Sequence, residues 1–292
     1  MILITGATGN VGRPLVGLFA GAGVPVRAFV RDPERARGVL GCGVELVEGD
    51  FAEPATLEEA LGGVDRMFLL SGNPQHEGNA IDAAMRSGVE RVVKQSALAA
   101  GLEPPPFHRG IEEKLELSGL GYTHLRPTAF MQTLAGYLPL LIDAEGVLCL
   151  PAGEGRIAWV DARDIAAVAF HALTGEGHEG RAYPITGPES LSMSEVAERL
   201  SAATGRRLRY ENAPPEEARE IMVERGLPPQ MADFLISFYN TVRRGETDFV
   251  TGIVPQVTGE PGRTFEDHAR EQASAFEVAG SKNGTDGGSG SA

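Results

Sequence analysis

The segment Gly6-Ala7-Thr8-Gly9-Asn10-Val11-Gly12 follows an apolar run, Met1 to Thr5, and precedes an amphipathic one, Arg13 to Ala22. A glycine triplet in that position constrains the chain strongly. It lets the turn tighten, lets the backbone approach a pyrophosphate, and aims helix N-terminal N–H groups at that anion. Gly6, Thr8, Gly9, Asn10, Val11 and Gly12 are therefore candidate cofactor-binding residues. The competing reading is a structural turn in a chain with 38 glycines, and the strand-loop-helix context weighs against it. In the helical stretch Leu15, Leu18, Phe19 and Ala22 fall on one stripe, with Pro14 in a first turn that tolerates it.

Short apolar runs recur at Val24 to Val30, Val44 to Val47, Arg66 to Leu70, Val89 to Gln95 and Tyr122 to Arg126. Each is short and built around β-branched or aliphatic residues without strict alternation, the pattern expected of strands covered on both faces of a parallel sheet. Helical patterns lie between them, at Glu77 to Ser87 and His108 to Ser118, with Gly88 and Gly119 as expected C-caps. The expected fold class is α/β, a Rossmann-like doubly wound parallel sheet with a smaller C-terminal α+β lobe. In that lobe Ile157 to Val160 and Arg207 to Glu211 read as strands. Ala162 to Leu173, Ser192 to Ala203, Glu216 to Arg225 and Ala232 to Arg243 read as helices, the second opened by a Ser192-x-x-Glu195 capping box. The expected division is 1–150 for the dinucleotide domain, 151–277 for a substrate-side lobe with elements returning to the first domain, and 278–292 for a disordered Gly/Ser-rich tail.

In open α/β sheets ligands sit beyond the strand C-termini, so the ends of successive strands converge on one cofactor. The second strand ends Val30-Arg31-Asp32-Pro33-Glu34-Arg35, where an NAD enzyme would place an acid. Arg31 suits a 2′-phosphate instead, which prefers NADP(H) and leaves NAD(H) as the second choice. The alternative is a surface arginine paired with Asp32 or Glu34. Asp50 and Phe51 are expected to flank the adenine, and Leu70, Ser71 and Gly72 to lie on the adenosine side.

A net charge of −14 argues against nucleic acid as a partner, although Arg27, Arg31, Arg35 and Arg37 make a local basic exception. No apolar run is long enough to span a membrane, and the start carries no export signal, so a soluble cytoplasmic protein is expected. Cys42 and Cys149 form no C-x-x-C pair, and His76, His124, His171, His178 and His268 show no ligand spacing; no metal is expected.

Gly6 to Gly12, Val26 to Pro33, Glu48 to Phe51, Gln95 to Ala97, His108 to Leu115, Tyr122 to Phe130 and Trp159 to Ile165, in that order, resemble the NmrA-like branch of the atypical short-chain dehydrogenase/reductase superfamily. The resemblance runs essentially up to the tail. It implies NADP(H) binding, with either reductase activity on quinones and related acceptors or cofactor sensing without turnover. The segment Ser118 to Phe130 is similar to one that passes the nicotinamide, which implies that Pro127 and Thr128 touch the cofactor. Ser96, at the end of the fifth strand, is a further cofactor candidate, and Phe130, Met131 and Trp159 are candidates for the wall of an apolar substrate pocket suited to a flat aromatic acceptor. Met222, Phe234, Phe238 and Tyr239 are further candidates for an apolar wall, although packing in a core accounts for most of these residues. Asp161-Ala162-Arg163-Asp164 also resembles a family motif, and helix capping is sufficient to explain it.

A standard short-chain dehydrogenase uses Tyr-x-x-x-Lys, and no such pair occurs in this chain. His108 matches the family's lysine position, which puts Pro104 at the tyrosine, and Ala97, Leu98 and Ala99 occupy the serine slot. His108 is thus the candidate catalytic residue, orienting the ribose or relaying a proton. Its bland alternative is a solvated first-turn histidine paired with Glu112. The function expected is an NADPH-dependent oxidoreductase passing hydride to a quinone or a conjugated or aromatic ketone, as a monomer or homodimer. The alternative is a non-catalytic NADP(H) sensor that binds a protein partner. Nucleotide-sugar epimerase chemistry is disfavoured because it needs the absent tyrosine.

Overall fold

Runs such as Ile2-Leu3-Ile4 form strands only where helices cover both sides of a sheet. A computed structural model, describing residues 1–98 and 104–276, has that arrangement. Strands and helices alternate as β1 (Ile2–Ile4), α1 (Gly12–Gly21), β2 (Val26–Val30), α2 (Pro33–Leu40), β3 (Glu45–Glu48), α3 (Pro54–Ala60), β4 (Arg66–Leu69), α4 (Pro74–Ser87), β5 (Arg91–Gln95), α5 (Pro106–Glu116) and β6 (Gly121–Pro127). There follow α6 (Met131–Leu141), β7 (Val147–Leu150), β8 (Arg156–Ile157), α7 (Ala162–Thr174), β9 (Arg181–Ile185), β10 (Leu191–Ser192) and α8 (Met193–Thr204). The last elements are β11 (Arg209–Asn212), α9 (Pro215–Glu224), α10 (Pro229–Arg243), α11 (Ile253–Thr258) and α12 (Phe265–Glu271).

Seven strands make one sheet in the order β3-β2-β1-β4-β5-β6-β9, every pair parallel. The register sets Ile4 beside Ala28 and Phe68, and Lys94 beside His124. Alternate side chains leave the sheet on opposite faces. Ile2, Ile4, Ala28, Phe68 and Val93 pack with Leu15, Phe19, Ile165 and Ala169 of α1 and α7. Leu3, Phe29, Met67, Leu69 and Val92 pack with Leu57, Ile81, Ala84 and Leu115 of α3, α4 and α5. This is the Rossmann-like doubly wound fold.

Several expectations need correction. The buried stripe of α1 is Gly12, Leu15, Val16 and Phe19, whereas Leu18 is 39% exposed and Ala22 lies outside the core. The stripe is set by the edge against which α7 packs, which periodicity does not specify. Gly88 does cap α4 in the left-handed conformation, but α5 ends at Glu116 with Leu117 as its cap, two residues before Gly119. Of the run Ile157 to Val160 only Ile157 is in a strand, while Val160 bridges Phe130. The seventh strand, β9, is an edge strand with an exposed first half and a proline, and gave no apolar run to read.

The chain clusters into two units. One holds Met1–Gln132, Ile157–Ser190 and Glu246–Thr264; the other holds Thr133–Arg156, Leu191–Gly245 and the described residues from Phe265 to Phe276. In the first unit β9 completes the sheet and α7 covers it. The second unit contains the parallel pair β7-β11, with Tyr210 beside Leu148, and α8, opened by the expected Ser192/Glu195 capping box. The Gly/Ser-rich tail 278–292 lies outside the described residues. No helix among the described residues is long and apolar enough to cross a membrane.

Candidate cofactor cleft

The strand order reverses between β1 and β4, where connections leave in opposite directions and their loops part. A cleft of about 960 Å³ opens there. Its floor is the glycine loop, Gly6 to Gly9; its walls are Arg31, Asp32 and Arg35 after β2, Gly49 to Phe51 after β3, and Leu70 to Asn73 with His76 after β4. Gly6 has φ 61°, a conformation that side chains resist, and the N–H of Gly9 returns to its carbonyl at 3.0 Å. A Cβ on Gly12 would lie 2.2 Å from the Gly6 oxygen, so only glycine lets α1 start this close to the loop. No side chain caps α1; the Arg13 N–H goes to the Gly9 carbonyl at 3.0 Å and Pro14 has none, so what the helix start offers an anion is chiefly the positive end of its dipole.

At the rim two cations face the cleft, Arg31 and Arg35. The expected competitors for Arg31 are occupied or distant. Asp32 caps α2 by accepting the N–H of Arg35 at 3.0 Å, and Arg31 makes no ion pair with Asp32, Glu34 or any other described residue. Arg27 is drawn away from the cleft, binding Glu45 at 2.8 Å and the carbonyls of Ala60 and Gly62. Phe51 and His76 stack with their planes 1° apart, and both line the cleft. Asp50 holds its own turn by accepting the N–H of Ala52 at 2.8 Å. The glycine floor, helix N-terminus, arginine rim and aromatic wall fit a phosphorylated dinucleotide.

The structure therefore brings Gly6, Thr8, Gly9, Arg31, Asp50, Phe51, Leu70, Ser71 and Gly72 into one cleft. Val11 and Gly12 are buried beneath the loop, and Asn10 is exposed outside the lining. Ser96, Pro127 and Thr128 are buried at the ends of β5 and β6 and do not line it; the Thr128 hydroxyl donates to the Ala158 carbonyl at 2.6 Å. Arg35, Asn73 and His76 were not singled out from the sequence as ligands. Asn73-Pro74 was a readable signal, an N-cap followed by a first-turn proline, and Asn73 accepts the N–H groups of Gln75 and His76.

His108 is buried, which corrects the reading of a solvated first-turn residue. Its Nδ1 lies 3.3 Å from Nζ of Lys94, a lysine with no exposed surface that also pairs with Glu77 at 3.1 Å. Burial, then the Lys94 charge, pull the imidazole down to about 4 against the opposing charge of Glu112. Glu112 itself binds Arg126 through both oxygens, at 3.0 and 2.7 Å, and receives Arg109. Burial works to raise Glu112, and the Arg126 hydrogen bonds and nearby charges bring it below its usual range.

Glu112, Glu116 and His124 converge with one ligand atom each within 4.8 Å, a grouping that sequence spacing did not reveal. Arg109 and Arg126 already occupy the carboxylate oxygens, so the cluster is a closed ion network. Trp159 and Met131 are fully buried and Phe130 is half-buried in the first unit. In the second unit Met222 and Tyr239 are core residues, Tyr239 meeting Tyr137 at 2.9 Å between hydroxyl oxygens, whereas Phe234 is exposed. Asp161 caps α7 and holds Arg163, as capping alone requires.

Comparison with known proteins agrees with this geometry. The sequence profile described as the NmrA-like family matches residues 1–248. An NAD(P)H azoreductase of Xenophilus azovorans is 40% identical over 290 residues, covering 96% of this chain and 100% of that protein. The (4-alkanoyl-5-oxo-2,5-dihydrofuran-3-yl)methyl phosphate reductase of Streptomyces griseus is 40% identical over 285 residues, covering 94% and 99%. The NADPH-dependent quinone oxidoreductase of Escherichia coli, solved in complex with NADPH, superposes with a TM-score of 0.85 at 27% identity, covering 93% of this chain and 99% of that one. With its profile matched over residues 1–248 and a doubly wound sheet around a glycine-floored cleft, this chain belongs to the NmrA-like family.

Proposed function

We propose that this protein is an NADPH-dependent oxidoreductase that passes hydride to a quinone or a conjugated or aromatic ketone. The observation that carries the reading is Arg31, a guanidinium with no carboxylate partner among the described residues, at the rim of a glycine-floored cleft. A planar fork of donors in that place matches a 2′-phosphate. The relatives named as an azoreductase, a dihydrofuranone phosphate reductase and a quinone oxidoreductase support an electrophilic, conjugated acceptor. When bound, the dinucleotide supplies the hydride. The chain's own share is binding geometry: the loop and rim fix the cofactor, His108 orients the reacting groups, and Phe130, Met131 and Trp159 shape the acceptor side.

The test is NADPH oxidation by the purified protein across quinones and enones, with NADH in parallel and air oxidation subtracted. Turnover with preference for NADPH is the expected result. NADPH binding without turnover on any acceptor would overturn the enzyme reading, in favour of a cofactor sensor whose partner protein would be the next target.

A further inference from the structure

Lys94 occupies the fourth position of β5, in a strand where Val92 and Val93 are the ordinary choices, and its side chain is fully buried. A lysine there is unfavourable unless its charge is matched. Its Nζ has three neighbours: Glu77 Oε2 at 3.1 Å, the Gln95 carbonyl at 3.0 Å and His108 Nδ1 at 3.3 Å. An ammonium has three protons, one for each. Glu77 is 1% exposed, and its other oxygen accepts the backbone N–H of Ser71 at 3.2 Å, a residue on the wall of the cofactor cleft.

We propose that the buried Glu77–Lys94 pair is a positioning device that fixes the proton of His108 on Nε2, so that His108 meets the reacting ligand as a neutral hydrogen-bond donor. The purpose of that donor rests on the hydride-transfer reading above. The tautomer is a property of the free chain and stands or falls by itself.

Opposite an ammonium, Nδ1 must accept, and the single proton of a neutral ring then sits on Nε2. Nε2 has no hydrogen-bond partner among the described residues, and His108 keeps 8% of its surface exposed, so a ligand is the partner this proposal gives Nε2. A neutral Lys94 would reverse this. Its two protons would go to Glu77 and the Gln95 carbonyl, and its lone pair would accept from Nδ1–H. Burial pulls Lys94 below the usual lysine range, and the Glu77 carboxylate, hydrogen-bonded to it at 3.1 Å, is the main group opposing that pull, with Glu112 adding to the same effect; Glu77 is therefore the group that selects the tautomer, by favouring the charged form of Lys94.

A neutral Nε2–H suits an acceptor oxygen that gains negative charge as hydride arrives. A dihydronicotinamide bound in the cleft would supply the hydride with its electron pair, being oxidised as the acceptor is reduced. His108 steadies the oxyanion, and water supplies the proton that completes the reduced product. Because Glu77 also ties down the end of β4 through Ser71, the groups that set the tautomer are joined to the cleft wall.

The test is the ¹⁵N spectrum of histidine-labelled full-length protein without cofactor, with the His108 signals identified by their loss in His108→Gln. The expected wild-type spectrum has a protonated Nε2 and an unprotonated Nδ1. Glu77→Gln removes the countercharge and is expected to move the proton to Nδ1, and Lys94→Met to give a mixture of tautomers. A wild-type Nδ1 that carries the proton would overturn the proposal, and so would an unchanged tautomer in both folded variants. Should either variant fail to fold, the wild-type spectrum still decides.

Kinetics tests the positioning role. Lys94→Met is expected to lower kcat roughly tenfold or more with little change in the KM for NADPH. Altered tautomers with unaltered kcat would overturn it. Absence of turnover in the wild type with the tautomer as stated would remove the functional reading and leave the tautomer assignment standing.

Discussion

At the residue scale, the loops around the cleft contain many charges, and most are committed elsewhere. Asp32 caps a helix, Asp50 closes its own turn, and Arg27 binds Glu45 and two carbonyls. Arg31 and Arg35 are the cations that reach the cleft. Arg31→Ala is therefore expected to weaken NADPH by roughly tenfold or more, the loss of a charge-assisted hydrogen bond, while NADH changes little. Fluorescence titration with both nucleotides measures this, and equal losses would overturn the 2′-phosphate assignment. Arg31 was legible in the sequence because a strand end has a fixed meaning in this fold. Lys94 and Glu77 were not, since each lies within a run that reads as plain strand or helix and acquires its role only from the other.

At the scale of elements, the loop and α1 act together. Gly12→Ala would push a methyl group into the Gly6 carbonyl, at a separation no folded chain tolerates. The loop must open or α1 must retreat. The expected result is a loss of about 1–3 kcal/mol of stability together with loss of dinucleotide binding, checked by denaturant titration and by NADPH titration of the folded fraction. The α4 N-terminus predicts a milder effect. Asn73→Ala removes the acceptor for the N–H groups of Gln75 and His76, which is expected to cost about 1 kcal/mol. NADPH affinity is expected to fall with it, because His76 and Ser71 form one wall. Weakened stability with unchanged affinity would show that this wall does not touch the ligand.

For the whole molecule the buried histidines set a pH dependence. His108 is held at about 4 in the fold against 6.5 for a free histidine, and burial also lowers His124. Below 6.5 the unfolded chain takes protons that the folded chain refuses, so stability falls as pH falls from 6.5 towards 4. For His108 alone the full effect is about 3 kcal/mol. Urea unfolding at pH 7 and 5 is expected to show it, with a shallower dependence in His108→Gln; identical dependences would mean that His108 titrates freely. The interval from pH 7 to 5 lies above the ordinary carboxylate range, so Glu112, itself held low, contributes little there; its own loss of stability comes below about 4.5. What the sequence determined by itself was local and directional: strands apolar on both faces, helices between them, a glycine loop at the first turn and an arginine at the second strand's end. These follow from periodicity and backbone chemistry acting over a few residues. Only the tertiary structure decided that β9 returns to close the sheet, which edge of α1 is buried, and that Glu77, Lys94 and His108, from two helices and a strand, share one set of protons. Burial and pairing depend on neighbours distant in the chain, and a buried charge gains its meaning only from the partner that the fold sets beside it.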